Sequence, residues 1–440
     1  MTRSCATRQA EAFKSTEEEP PGLAVRRGEA EEEPPSRIAA ENRRRFFGQV
    51  PEASWNDWRW QFRNRITTVE QLSRLIPLSA KEQVRLKLVA DKYPLSITPY
   101  YLSLISLDNP NDPIGKQAIP SFHEIALAGV GMEDPLAERK DSPVPGLVHR
   151  YPDRVLMVLT NICPVFCRHC TRKRDWRNGE RVRTPGEIEA MLEYIANNKK
   201  IRDVILSGGD PLTLSTRRLE EVISRLVRIG HVEIIRIGTR FPVVLPQRID
   251  DELCAMLSRY RPIWLNTHFN HYREITPESA AACDRLVRSG IPVSNQSVLL
   301  RGVNDSVETQ MKLCHGLLRI SVRPYYLFQC DEVQGTEHLR TPVEAGIEII
   351  EGMRGHTSGL AIPAFVVDLP QGGGKVPLQP DYVLLQTEEE LVLRNYQGRL
   401  FRYRNPRQPG LTGATRRHAK ATGSPIIILR SLEQSLSPKG

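Results

Sequence analysis

Long apolar runs are missing from this chain. Nowhere do about 18 apolar residues follow one another, so no membrane-crossing helix is expected. The N-terminal stretch MTRSCATRQAEAFKSTEEEPP lacks the apolar segment of a secretory signal, and the expectation is a cytoplasmic protein without membrane contact. Cysteine is sparse: eight in 440 residues make no disulfide framework. Three of the eight crowd into 163–170, which in a cytosolic chain suggests a metal or cluster site. An excess of one charge sign is also missing over most of the length. The formal net charge is +9, but residues 398–440 carry nine Lys/Arg against one Glu, so the rest is nearly neutral. A uniformly basic nucleic-acid-binding body is thereby not indicated, and no nucleic acid is expected as a partner. The basic tail could still meet an acidic surface; a solvated or partner-packing tail is the simpler reading. What is present, 40% hydrophobic and 26% charged residues, suffices for a sizeable core.

The pattern divides the chain into four parts. Residues 1–40 read as a disordered leader, with EEEPP at 17–21 and again at 31–35 and order beginning near Ile38. Residues 41–145 read as a helical region. There Trp55, Trp58 and Phe62 share one helical face, a packing face in preference to a ligand-stacking one. Residues 146–380 alternate strand and helix. Strands are expected at 155–160, 203–207, 232–238, 263–268, 292–300 and 322–328. Helices are expected at 184–198, 219–229, 251–260, 277–289, 306–320 and 341–354. Six such units in succession predict an α/β fold, a parallel sheet curling into a partial (β/α)6 barrel. Chemistry then belongs at the C-terminal ends of the strands. Residues 381–440 form a C-terminal extension ending in the basic tail.

The distinctive motifs fall at those ends. Cys163, Cys167 and Cys170 form C-x3-C-x2-C after the first strand. Three thiolates leave one position of a metal centre open, as on a [4Fe–4S] cluster with one free iron. A zinc site using His169 is the alternative, and would need a further ligand. Ser207-Gly208-Gly209-Asp210 follows the second strand. Its glycines admit a ligand to the backbone, and Asp210 can accept from an ammonium. Gly372-Gly373-Gly374-Lys375 offers an accessible lysine for an aldehyde cofactor, and its spacing is not that of a P-loop. His149-Arg150-Tyr151-Pro152-Asp153-Arg154 suits a phosphate dianion, or is a plain surface loop. Asn266, His268, Asn270, His271, Gln296 and Ser297 suggest a polar site lining.

The cysteine string Thr160-Asn-Ile-Cys163-Pro-Val-Phe-Cys167-Arg-His-Cys170-Thr-Arg172 resembles the radical S-adenosylmethionine enzymes, in their lysine 2,3-aminomutase branch. The resemblance covers roughly residues 40–400. It implies a [4Fe–4S] cluster on Cys163, Cys167 and Cys170. It implies S-adenosylmethionine at Ser207, Gly208, Gly209 and Asp210. It implies pyridoxal 5'-phosphate on Lys375, anchored by Arg150, Tyr151 and Arg154. Arg172 matches the arginine that binds the substrate α-carboxylate, and Asp331 and Asp368 match the acids that clamp a lysine ε-ammonium. Gln371 stands where the family more often has a fourth glycine.

The implied activity is migration of the α-amino group of a free basic amino acid to C3, L-lysine before L-arginine. An aminomutase acting on elongation factor P and a non-catalytic RNA- or ribosome-binding protein are more distant alternatives. Implied partners are a small amino acid, a reductant such as flavodoxin or ferredoxin, and a second copy of the chain in a homo-oligomer. The best-known relatives bind a structural zinc through one cysteine after GVND and three near the C-terminus. Here Ser306 follows Gly302-Val-Asn-Asp305 and no cysteine follows Cys330, so no structural zinc is expected.

Overall fold

Strand burial alternates with a period of two, and that alternation builds the barrel. In the computed structural model, which describes residues 35–406 apart from 128 and 388, nine strands form one sheet in chain order. They are β1 (Leu147–Tyr151), β2 (Arg154–Val158), β3 (Asp203–Ser207), β4 (Ile234–Gly238), β5 (Ile263–Thr267), β6 (Val293–Leu299), β7 (Arg323–Gln329), β8 (Ala364–Leu369) and β9 (Gly374–Pro377). The run from β2 to β8 is parallel, and β1 and β9 close its two edges antiparallel. Val155, Met157, Val204, Leu206, Ile235 and Ile237 are buried beneath the helices. Their neighbours Arg154, Asp203, Ser207, Arg236 and Gln296 are half-buried on the opposite, inner face. The two edges approach each other, for the Lys375 backbone N–H donates to the Tyr151 hydroxyl at 3.0 Å. The sheet is therefore a nearly closed barrel.

The six strand–helix units expected from sequence are all present. Thr184 caps its helix (Pro185–Asn197) with a reciprocal Glu187 box, as the spacing T-x-x-E dictates. The apolar segment AFVVDL, which the sequence pattern left unassigned, is β8. It extends the sheet by a seventh parallel strand after the helix Val343–Met353. Gly346 on that helix lies where any Cβ would strike the Phe365 ring, so the helix seats directly on β8.

Three other expectations change. A helix spans Pro35–Phe47, so part of the expected leader is ordered; residues 1–34 and the tail beyond 406 lie outside the described residues. The tryptophan segment is two short helices, Glu52–Trp55 and Trp58–Arg63. Asp57 breaks it by accepting the Arg59 backbone N–H at 2.9 Å, a cap that starts a new helix. Trp55 is buried, and Trp58 and Phe62 pack against the core. The start of the C-terminal extension folds into a separate three-stranded antiparallel sheet, β10 (Val383–Gln386), β11 (Glu390–Arg394) and β12 (Leu400–Arg404).

The N-terminal helices share one hydrophobic core with the barrel. They also share buried charge. The Glu124 carboxylate, fully buried, accepts from Arg168 at 2.6 and 3.0 Å and from Lys173 at 2.7 Å. Lys173 reaches on to the Gly335 carbonyl at 3.0 Å, so one acid ties the N-terminal region to two barrel loops. Removing it would strand two buried cations, a change worth about 3–5 kcal/mol. Glu124→Ala is therefore expected to lower stability by about that amount, read as a lower urea midpoint with an unchanged slope.

Candidate active site

The cysteine loop leaves the C-terminal end of β2 and ends in a single 3-10 turn (Lys173–Asn178). It has little regular structure of its own, so outside partners hold it. Phe166 N–H donates to the Ser96 carbonyl at 2.9 Å and Arg168 N–H to the Gln117 carbonyl at 2.8 Å. Arg65 donates to the Cys163 carbonyl at 2.8 Å. Cys163 and Cys170 pack on the stacked rings of Phe166 and Trp176, whose centroids lie 4.7 Å apart. Burial pushes the Cys170 thiol up to about 11 and raises Cys163 well above the usual thiol value, and the neighbouring cysteines add to it. Such thiols stay protonated until iron displaces the proton. Two donors already face the sulfurs: the Arg172 backbone N–H lies 3.3 Å from Cys170 Sγ, and Arg240 Nη1 lies 2.8 Å from Cys167 Sγ. Among the described residues no three His, Cys, Asp or Glu side chains close around a single ion. Half-buried thiols with N–H donors aimed at sulfur fit an iron–sulfur cluster.

The glycine motif packs directly against the cysteine loop. A Cβ at Gly208 would strike the Thr160 carbonyl oxygen, and one at Gly209 the Ile162 carbonyl oxygen. The glycines let this loop lie against the cysteine loop, where Gly209 N–H reaches the Thr160 carbonyl at 2.5 Å and Asp210 N–H the Ile162 carbonyl at 2.8 Å. Asp210 is buried, and burial pushes its carboxyl up to about 7 against its hydrogen bonds. Its oxygens accept from Leu212 N–H (3.0 Å), the Thr239 hydroxyl (2.8 and 2.9 Å) and Arg240 N–H (2.7 Å). These bonds tie the loop after β4 to the glycine motif. Ser207 stands half-buried at the end of β3.

The lysine lies on β9, where the register sets Lys375 opposite Asp368 on β8. Its ammonium is 3.0 and 3.1 Å from the two Asp368 oxygens and 3.9 Å from the Phe328 ring centre. Burial lowers its affinity for a proton, and Asp368 opposes that. Positive φ at Gly372 (80°) and Gly374 (88°) turns the chain into this hairpin, a conformation suited to glycine; Gln371 shares it at 57°. Arg154 stacks on Tyr151 at 4.5 Å, and its buried Nε has no hydrogen-bond partner. A guanidinium N–H without a hydrogen bond, 4.0 Å from an Asp153 oxygen and beside a half-buried lysine, fits an anionic cofactor with an aldehyde. Arg150, by contrast, is bound to Asp141 at 2.8 Å and to the Leu136 carbonyl.

Asp331 follows β7, and burial together with the Asp368 charge pushes its carboxyl up to about 7. Lys375 and Arg340 pull the other way and Glu138 adds to the rise. Asp331, Asp368 and Lys375 thus share one electrostatic site. Arg172 sits nearby but is forked onto Glu138 at 2.6 and 2.9 Å, with a third bond to the Gly208 carbonyl at 3.2 Å. Burial works against the Glu138 charge, yet Arg172 and Arg174 hold its carboxyl well below the usual range.

The polar residues after β5 divide. Asn270 and His271 are spent on the scaffold: Asn270 bonds Gln117 and Val298, and His271 caps a 3-10 turn. Ser297 donates to the Phe269 carbonyl. His268 keeps a buried Nε2 without a partner, 5.5 Å in ring separation from His169. Sequence reasoning missed Arg240, Glu138 and Glu274. Arg240 had a signal, since it stands just after a strand end.

Comparison with known proteins identifies the family. The radical SAM superfamily matches residues 157–314, and the lysine-2,3-aminomutase C-terminal family matches residues 350–425. L-lysine 2,3-aminomutase of Acetoanaerobium sticklandii is 54% identical over 362 residues, 82% of this chain and 87% of that protein. The enzyme of the same name from Clostridium subterminale is 54% identical over 366 residues, 83% of this chain and 88% of its own. Glutamate 2,3-aminomutase of Clostridioides difficile is 43% identical over 351 residues, 80% and 83% of the two chains. Three thiols at a barrel strand end, a glycine-flanked lysine on the closing hairpin and this extent of identity lead to one conclusion: the chain belongs to the lysine 2,3-aminomutase family of radical SAM enzymes.

Proposed function

We propose that this chain is an isomerase that moves the α-amino group of free L-lysine to C3, giving β-lysine. The observation that carries the reading is one primary ammonium bound by Asp368 at 3.0 and 3.1 Å, with Asp331 near enough to feel the charge of both. In this structure that ammonium is Lys375 Nζ, and it stands in for the distal ammonium of a lysine substrate. The family's cofactors are a [4Fe–4S] cluster, S-adenosylmethionine and pyridoxal 5'-phosphate. When bound they supply a primary-carbon radical and an electron sink for the migrating nitrogen.

The protein's own part is binding and orientation. Cys163, Cys167 and Cys170 would hold the cluster, and the backbone of Ser207, Gly208 and Gly209 would border S-adenosylmethionine. Lys375 would hold the aldehyde cofactor, with Arg154 and Tyr151 at its anionic end and Arg150 braced behind them by Asp141. Engaging Lys375 frees Asp368 to accept the substrate's ε-ammonium together with Asp331. Arg172 would take the substrate carboxylate by exchanging it for Glu138. Holding both ends of an extended amino acid fixes C3 between them. The electron comes from a one-electron donor of the flavodoxin or ferredoxin class.

Two carboxylates around one cation disfavour an acidic substrate, although one relative is named for glutamate. Anaerobic incubation of the reconstituted protein with L-lysine, L-arginine and L-glutamate separately tests the assignment by product analysis. β-Lysine is expected to form fastest. Faster β-arginine would overturn the substrate and keep the reaction type; faster β-glutamate would overturn the role of the acids. Asp331→Asn and Asp368→Asn should each cost about 2–5 kcal/mol in kcat/KM for lysine.

The pH dependence follows from Asp331. Its carboxyl is raised to about 7 without substrate, so it is half protonated near neutrality. A cationic substrate binds the carboxylate form, so affinity is full above that value and is lost as pH falls through it. KM for lysine should rise about fivefold from pH 7 to pH 6, and Asp331→Asn should flatten that rise. A KM that falls over the same interval would contradict the assignment.

A further inference from the structure

Arg240 makes the one charged contact in the described residues to a thiol of the cysteine loop. It stands two residues after β4, is 7% exposed, and points its guanidinium across the barrel mouth. Nε donates to the His268 carbonyl at 3.1 Å. Nη2 meets Glu274 at 2.7 Å, Gln117 at 2.5 Å and the Tyr101 hydroxyl at 3.1 Å. Nη1 is left, 2.8 Å from Cys167 Sγ. We propose that Arg240 is a positioning residue of the iron–sulfur site, presenting a fixed N–H to the Cys167 sulfur and thereby making the cluster easier to reduce. The inference rests on the proposed assignment of Cys163, Cys167 and Cys170 as the cluster ligands.

The fork has little freedom to do anything else. A planar guanidinium whose Nε and Nη2 are bound in fixed directions must aim Nη1 in a fixed direction too. The backbone is pinned as well, because Arg240 N–H donates to buried Asp210 at 2.7 Å. Glu274, the counter-charge, is buried, and three further donors share it: Asn270 N–H at 2.6 Å, His271 N–H at 2.9 Å and the Tyr101 hydroxyl at 2.6 Å. Its charge is thus spread away from the sulfur, while the guanidinium faces the sulfur directly. Adding one electron makes the cluster and its thiolates more negative. An N–H donor and a cation beside one thiolate stabilise that reduced state and raise the potential. Low solvent access makes the effect larger than it would be in water.

The test uses full-length protein reconstituted anaerobically with iron and sulfide, as wild type, Arg240→Gln and Arg240→Lys. Iron content and visible absorbance are measured first, and the cluster is then titrated against dithionite and mediators, with electron paramagnetic resonance as readout and no S-adenosylmethionine present. Both variants are expected to load iron. At a fixed potential the reduced-to-oxidised ratio of Arg240→Gln should fall about tenfold, which is 59 mV for a one-electron couple. Arg240→Lys should recover part of that loss. A loaded Arg240→Gln cluster with the wild-type midpoint would overturn the proposal. Should neither variant fold, the wild type itself decides. With 15N-arginine, the reduced cluster should show a weak coupling to guanidinium nitrogen in pulsed spectra, and absence of that coupling would overturn the role of Arg240. A wild-type protein that takes up no iron would overturn the cluster assignment, and this inference with it.

Discussion

The ion pair between Arg240 and Glu274 sits where the barrel, the cysteine loop and the N-terminal helices meet, at 7% and 0% exposure. Two charges taken that far from water would destabilise the fold if they had only each other. They do not. Glu274 accepts from the β5 loop and Tyr101, and Arg240 donates to Gln117, the His268 carbonyl and Cys167. The partners come from the N-terminal helices, the cysteine loop and the loop after β5. The pair is satisfied only when all those stretches are in place, so it links them into one cooperative arrangement. Placement of the cysteines is a consequence, since their loop has one short 3-10 turn and no strand to fix it.

The same logic recurs around the proposed substrate pocket, with an important difference in burial. Arg168 and Lys173 are fully enclosed and answer to Glu124; they are scaffold. Arg172 and Lys375 are only partly enclosed, and each is paired with an acid, Glu138 and Asp368. The substrate-free site is therefore neutralised from within. An amino acid that carries a carboxylate at one end and an ammonium at the other can replace one partner in each pair without leaving a buried charge alone. Exchange of this kind keeps the desolvation cost of binding low, because the protein's charges were already out of water.

Much of this was legible from residues. Six strand–helix units, the Thr184 capping box and the C-x3-C-x2-C string are local patterns, and local patterns survive into structure. The seventh strand was not legible, because a six-residue, mostly apolar segment reads equally as strand or buried coil until the helix Val343–Met353 and its Gly346 seat are known. The glycine motif was legible as a loop at a strand end, but its packing was not. Only the approach of Thr160 and Ile162 shows that the glycines serve backbone contact between two loops. Glu138 and Glu274 gave no signal at all, since an acid in a loop looks solvated until its arginine is found.

β8 and β9 carry the last geometric constraint on the site. Asp368 and Lys375 come from one hairpin, and their apposition depends on its register. Side chains alternate faces along a strand, so a slip of one residue would send Lys375 to the far face and leave Asp368 alone. Three features hold the register. Gly372 and Gly374 supply the left-handed turn. Val366 pairs with Pro377 at the open end of the hairpin. The Tyr151 hydroxyl accepts the Lys375 N–H, which fixes the hairpin to the opposite edge of the sheet. The contact that nearly closes the barrel is thus also the contact that aims the lysine, so the fold's closure and the site's geometry rest on the same hydrogen bond.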